Sequence, residues 1–268
     1  MTDLALSPFL QNLLLTALAV ILTMAITMVV AFRRDDHSIV DIVWGLGFVV
    51  IAATSWVASA GQGDPLRRGV VLGLVAVWGV RLGWHIGRRN AGHVDPRYVA
   101  LMKRQEGPVV LYVIRRVYGI QGVIMWLVSL PTQMAMYEGA PMGVLAWTGV
   151  AVVVAGLAFE VIGDRQLAAF KSDPANRGRT LDSGLWGWTR HPNYFGDALL
   201  WFGLWMLSLG HWAGLVLVAS PALMTHMLVN KSGKALTERR MARSRGPEYE
   251  EYLARVSGFL PRPPKARV

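Results

Sequence analysis

The chain has 268 residues, 53% of them hydrophobic and only 16% charged, with a formal charge of +10 and a positive mean hydropathy. A soluble domain carries about 25% charged residues, so the composition excludes an ordinary soluble enzyme and turns attention to uncharged runs long enough to cross a bilayer. Zero cysteines exclude disulfides, thiolate metal sites and cysteine nucleophiles, and no metal site is expected.

The longest uncharged run covers 9–32, "FLQNLLLTALAVILTMAITMVVAF". It is too long for a signal-peptide core and lacks a basic leader, so it reads as a first span that is retained. Further apolar runs predict spans over 39–60, 69–87, 118–137, 141–163, 194–209 and 211–229, with a tail over 230–268. The expectation is one all-α, polytopic membrane domain over 1–268, a seven-transmembrane helix bundle.

Seven spans put the termini on opposite sides. With the N-terminus outside, all but Arg67, Arg68 and Arg81 of the 27 lysines and arginines fall on the cytosolic side. That asymmetry accounts for most of the basic charge without nucleic acid. The expected location is multi-pass, in the cell inner membrane if the source is a bacterium, with the C-terminus cytosolic. The inner loops 88–117 and 164–191 are long and rich in Gly, Pro, Asp and Asn, as functional loops often are. In the tail, "RGPEYEEYLARVSGFL" is helix-like with Tyr249, Tyr252, Leu253 and Val256 on one side. It forms either a helix on the inner membrane surface or a part of the site.

Ionisable residues inside spans are costly and by default raise a functional hypothesis. Asp41 starts span two, Arg81 and His85 lie in span three, and Glu160 lies in the last turn of span five. Asp197 lies in the first turn of span six and His226 near the inner end of span seven. All lie toward the cytosol, which disfavours a conduit through the full depth and predicts a cofactor cavity facing the cytosol under an apolar roof. The structural alternatives are an Arg81 ion pair with Asp41 or Glu160, interface roles for Glu160 and Asp197, and a satisfied core histidine at 226.

The loop "DRQLAAFKSDPANRGRTLDSGLWGWTRHPNY" offers Arg165, Lys171, Arg177, Arg179, Arg190 and His191 to phosphates. Trp186 and Trp188 suit stacking on a flat ring. The alternative is a basic loop that meets anionic lipid head groups. No GxGxxG follows a strand and no Walker A motif is present, so a nucleotide would bind among the helices. His191-Pro192 ends the loop, since proline starts a helix well. Asn193 and Tyr194 then stand at the cavity mouth. Arg89, Arg97, Lys231 and Glu238, on the other inner segments, complete the candidate cofactor contacts.

From "GLWGWTRHPNYFGDALLWFGLW" outward the chain resembles the membrane-embedded steroid 5α-reductase family, in particular its bacterial branch. "HSIVDIVWG", "WGVRLGWHIGRR", "DPRY", "FEVIGDRQLAAFK" and "GPEYEEYLARVSGFLP" resemble it too, covering most of the chain from residue 37. The resemblance implies seven spans, NADPH bound from the cytosol, and reduction of a carbon–carbon double bond conjugated to a ketone in a lipophilic, steroid-like substrate. Membrane lipid is the other implied partner, and no obligate protein partner is. By position, Asp164, Arg179 and Asn193 match residues that hold the cofactor. Lys171 stands where animal members have arginine, Glu160 replaces an asparagine, and Asp197 sits by a family glutamate.

The family's ketone grip is a Gln-Glu pair on span two and a tyrosine on span three. Here Asp41 aligns loosely with that glutamate and Trp78 falls where the tyrosine would. Tyr98, His37 or Tyr194 would then supply the donor. In such a reduction negative charge develops on the ketone oxygen, and a tyrosine, histidine or neutral carboxylic acid stabilises it. Asp41, in a low dielectric, is expected to stay neutral and donate.

The chain is also similar to the isoprenylcysteine carboxyl methyltransferases, which use S-adenosylmethionine and share an RHPxYxG-like motif and a GxEYxxY tail. The reductase-like segments 37–45 and 95–98, and the basic loop suited to a 2′-phosphate, favour NADPH. A third reading, a non-catalytic lipid-binding or scaffold protein, gains little from several intramembrane charges.

Overall fold

The computed structural model describes residues 6–92, 94–231, 233–234, 237–238, 241 and 246–265. The tail arginines 239, 240, 243, 245 and 267 lie outside the described residues. Every regular element among the described residues is helical. The helices are α1 (Leu6–Arg34), α2 (Ile39–Ala58), α3 (Pro65–Arg89) and α4 (Pro96–Met102). They continue as α5 (Val109–Ala135), α6 (Val144–Ser172), α7 (Pro192–Met206), α8 (Ala213–Lys231) and α9 (Pro247–Arg255).

Local chemistry sets these boundaries. The side chains of Asp64 and Asp95 cap α3 and α4, each followed by a proline at the first helical position. Helix α6 ends where Asp173 caps a short turn that starts with Pro174, because the residue before a proline is pushed out of the helical region. It therefore runs to Ser172 rather than 163. Glu160, expected in its last turn, lies well inside it, and Asp164 and Lys171 are helical. Helix α5 likewise begins at Val109 rather than 118.

Among the described residues six helices (α1, α2, α3, α5, α6 and α8) are long and apolar enough to cross a membrane. The expected span over 194–209 is the 15-residue α7. At 1.5 Å per residue it is about 22 Å long, shorter than a hydrocarbon core of about 30 Å.

The chain divides into two compact units, Met1–Ala146 with Leu207–Ser220, and Trp147–Met206 with Pro221–Val268. In the first unit α2 meets α3 backbone to backbone. A Cβ on Gly45 would stand 2.5 Å from the Gly79 carbonyl oxygen, which only glycine tolerates. Phe48, Ile51, Val71, Val75 and Trp78 form the core there, while Leu14, Ile21 and Ile26 of α1 face outward, as lipid-facing residues do. Arg67, one of the two cations expected outside, is no loose surface charge. Its buried guanidinium donates to the carbonyls of Leu207 (2.6 Å), Ala140 (3.1 Å) and Pro141 (3.3 Å).

In the second unit α6 and α7 touch along glycines spaced seven apart. Gly196 lies against the Gly156 carbonyl, Gly203 against that of Gly149, and Gly163 against Pro192. The tail forms α9, whose Tyr249 and Tyr252 bury together with Val256 against Met241 and Leu253. The expected one-sided stripe is present, and it packs on protein.

Candidate functional site

The first unit brings Asp41, Arg97 and Tyr98 into one network. Asp41 Oδ2 accepts from Arg97 Nη2 at 2.5 Å, and Asp41 Oδ1 accepts from the Tyr98 hydroxyl at 2.7 Å. Arg97 also grips Asp95, through Nε at 3.1 Å and Nη2 at 2.9 Å. Gln121 of α5 donates to the Tyr98 oxygen at 3.3 Å. Burial opposes the Arg97 charge, but Asp95 and Asp41 outweigh it and hold the guanidinium firmly protonated. Burial, reinforced by the Asp41 carboxylate, pushes the Tyr98 phenol far above its ordinary value, so it keeps its proton. Both Asp41 oxygens are met by donors, Arg97 at one and the Tyr98 hydroxyl at the other.

His37, between α1 and α2, pairs with Tyr118 of α5. Its Nδ1 lies 2.8 Å from the Tyr118 hydroxyl, and the ring meets Phe32 edge-on. Burial holds the imidazole below its usual pKa against the pull of Asp35 and Asp36, so it is neutral near pH 7. Tyr118 closes a wide π-helical turn over Ile114–Tyr118. The next residue must be small: a Cβ on Gly119 would lie 2.5 Å from the Ile114 carbonyl oxygen. Tyr118 lines a groove of about 540 Å³ between α1 and α5, walled by residues such as Val20, Met24, Gly122, Val123 and Trp126. No charged residue lines it. Arg89, at the end of α3, is exposed and reaches Asn90.

The second unit gathers Arg190, His191 and Glu238. Arg190 Nε donates to Glu238 Oε1 at 2.9 Å, and His191 Nε2 lies 3.2 Å from the same oxygen. Arg190 Nη1 donates to the carbonyls of Val256 (2.6 Å) and Leu253 (3.2 Å). Its backbone N–H donates to the Ser257 carbonyl. Arg190 therefore braces the tail, a role the sequence did not suggest for it. Burial alone would raise the Glu238 carboxyl, but hydrogen bonds from His191 and Arg190 outweigh it and hold the pKa at about 2. Burial keeps His191 below its usual value, and its ring stacks on Tyr194, centroids 5.4 Å apart.

At the start of α7, Asn193 Nδ2 donates to Asp164 Oδ1 of α6 at 3.2 Å, joining two of the expected cofactor residues. Glu160 and Asp197 are buried in the same unit. Lys171, Arg179 and Lys231 are exposed. Arg179 opens a second, polar cavity of about 240 Å³, with Thr180, Asp182, Glu248, Tyr252 and Arg255 on its walls. Glu248 accepts from the Thr180 N–H at 2.8 Å, and Arg255 pairs with Asp182 at 2.6 Å. The buried Thr180 hydroxyl has no hydrogen-bond partner among the described residues.

Tyr118, Gln121, Asp95 and Arg255 were missed by sequence reasoning. Asp95 and Tyr98 stand in one short stretch, "DPRY", and that spacing was a usable signal. The others meet their partners only through the tertiary fold.

One curated relative is an uncharacterized protein of Schizosaccharomyces pombe, 26% identical over 223 residues, covering 70% of this chain. The match spans 62% of that relative's own length. No solved structure matches the chain. The family described as "Protein of unknown function (DUF1295)" matches residues 27–256, and the chain therefore belongs to the DUF1295 family.

Proposed function

We propose that the chain is an NADPH-dependent membrane reductase of carbon–carbon double bonds conjugated to a ketone, acting on a lipophilic substrate such as a 3-oxo-Δ4 steroid. The observation that carries this reading is the uncharged α1–α5 groove with a tyrosine on its wall, an open groove of the size that takes a small apolar molecule. The resemblance of the motif segments to the steroid 5α-reductases adds the reaction class, an argument by analogy. When bound, the cofactor supplies the hydride. The chain's own residues bind, orient and exclude water.

The second unit offers groups that fit parts of NADPH. The exposed Lys171 and Arg179 suit phosphate oxygens. The small polar cavity at Thr180, with an unpartnered hydroxyl and acids offsetting its cations, suits a ribose better than a pyrophosphate. The Asp164–Asn193 pair would hold a polar edge of the cofactor. Arg190, committed to Glu238 and the tail, acts by bracing. In the first unit, Asp41 keeps Tyr98 protonated and fixed in place.

In this reading α7 is the sixth of seven crossings, and a shortened one. The basic loops lie on the cytosolic side, the N-terminus lies outside, and the cofactor enters from the cytosol. The S-adenosylmethionine alternative rests on the RHP motif, whose Arg190 grips the Leu253 and Val256 carbonyls, and on the GxEYxxY tail that precedes those two residues. The test is cofactor binding to the purified full chain, offering NADPH and S-adenosylmethionine separately. NADPH binding that weakens about tenfold in Arg179→Ala, as loss of one charged contact predicts, supports the reading. Binding of S-adenosylmethionine alone replaces it with methyl transfer.

A further inference from the structure

We propose that Tyr118, held by His37, is the hydrogen-bond donor that fixes the carbonyl oxygen of a rigid, uncharged ligand in the α1–α5 groove. The inference rests on the reading of that groove as the substrate site, and it assigns the oxygen-binding group within it.

Two groove residues carry a hydrogen-bonding side chain, Tyr118 and Trp126. The Trp126 N–H is spent on Thr16 Oγ1 (3.1 Å) and the Leu13 carbonyl (3.3 Å). The Tyr118 hydroxyl meets His37 Nδ1 alone among the described residues, at 2.8 Å. Tyr98 is placed differently: its proton is held by a carboxylate, Asp41, at 2.7 Å. A carboxylate can only accept, so the Tyr98 proton is committed. A neutral imidazole offers a choice. His37 Nε2 has no hydrogen-bond partner among the described residues, so nothing fixes the tautomer. With the proton on Nδ1, His37 donates to the phenol oxygen, and the phenol proton is released to a ligand.

The surroundings fit one kind of occupant. Along α5 the groove runs from Ile114 to Leu127, about 20 Å at 1.5 Å per residue, enough for a fused-ring hydrocarbon. No charged residue lines it, so an ionised head group would lie there unpaired, at high cost. A lipid acyl chain would fill the space but offer no acceptor to the phenol. A neutral ketone with its oxygen leading uses both features. The π-helical turn carries Tyr118 and ends against Gly119, the kind of local irregularity often found at functional positions.

The test needs no nicotinamide. The full chain in phosphatidylcholine nanodiscs is titrated with a radiolabelled 3-oxo-Δ4 steroid and with its 3-deoxy analogue. Tyr118→Phe is expected to weaken the ketone about tenfold, as loss of one buried hydrogen bond predicts, and to leave the deoxy analogue unchanged. His37→Ala should give a smaller, ketone-selective loss. Val123→Trp, which fills the groove, should abolish both. Thermal melting of each variant checks folding, and the deoxy analogue serves as an internal control. Equal ketone affinity in Tyr118→Phe and wild type overturns the proposal. So does failure of either steroid to bind the wild-type chain, which would leave the groove to lipid. Ketone-selective binding without NADPH oxidation would sustain Tyr118 while sinking the reductase reading.

Discussion

Replacing Asp41 separates an orienting carboxylate from a proton-donating one. Asp41→Leu leaves the buried Tyr98 hydroxyl without its acceptor, a cost of about 1–3 kcal/mol. Arg97 loses less, because it keeps Asp95 at 2.9 Å and its side chain is 31% exposed. Solvent screening limits that loss to roughly 1 kcal/mol or below. The expected total is about 1–4 kcal/mol. Tyr98→Phe made in the Asp41→Leu background removes the orphaned hydroxyl and should recover about 1–2 kcal/mol. Asp41→Asn should be intermediate: the amide oxygen still accepts from Tyr98, but its NH₂ then faces the Arg97 guanidinium. Reversible unfolding of the four proteins of the cycle in mixed detergent micelles gives the coupling energy. Additivity of Asp41→Leu and Tyr98→Phe within about 0.3–0.5 kcal/mol would refute the network.

Three further outcomes follow from the second unit. Gly196→Val should destabilise the protein by about 1–3 kcal/mol or prevent its folding, because its Cβ would stand 2.5 Å from the Gly156 carbonyl oxygen; thermal melting in detergent reads this directly. The Glu238 pKa lies at about 2, below its usual 4.5, so its contribution is full above pH 4.5 and is lost as pH falls toward 2. Hydrogen-exchange protection of residues 246–265, taken relative to the intrinsic rate at each pH, should fall over that window, and Glu238→Gln should flatten the change; an unaltered pH profile in the variant would exclude the brace. Lys171→Ala combined with Arg179→Ala should weaken NADPH binding while leaving melting unchanged, since both side chains are exposed.

The apolar runs made the spanning helices legible, because a bilayer admits little else. Their ends were less so. Glu160 and Asp164 signalled an end to the span, yet a helix carries acids onward when the fold supplies partners, as Asn193 does for Asp164. The glycines at 149, 156 and 163, facing 196 and 203, hold a spacing that marks close helix approach in hindsight. From charge alone Arg190 reads as a phosphate ligand. Its capture of the Leu253 and Val256 carbonyls depends on a segment more than sixty residues away, which no local pattern encodes. Tyr118 is illegible in the sequence for a related reason. A single tyrosine at the start of an apolar run reads as an interfacial anchor, and only the π-helical turn and His37 give it another role.

Single-turnover oxidation of stoichiometric NADPH by the full chain with an enone steroid tests the central claim most directly. Loss of nicotinamide fluorescence is followed alongside mass spectrometry of the steroid. The account predicts one equivalent of NADPH oxidised and a product heavier than the substrate by two hydrogens, with the ketone intact. Unchanged NADPH and unaltered steroid, with methyl transfer from S-adenosylmethionine to a lipophilic acceptor in the parallel reaction, would contradict it.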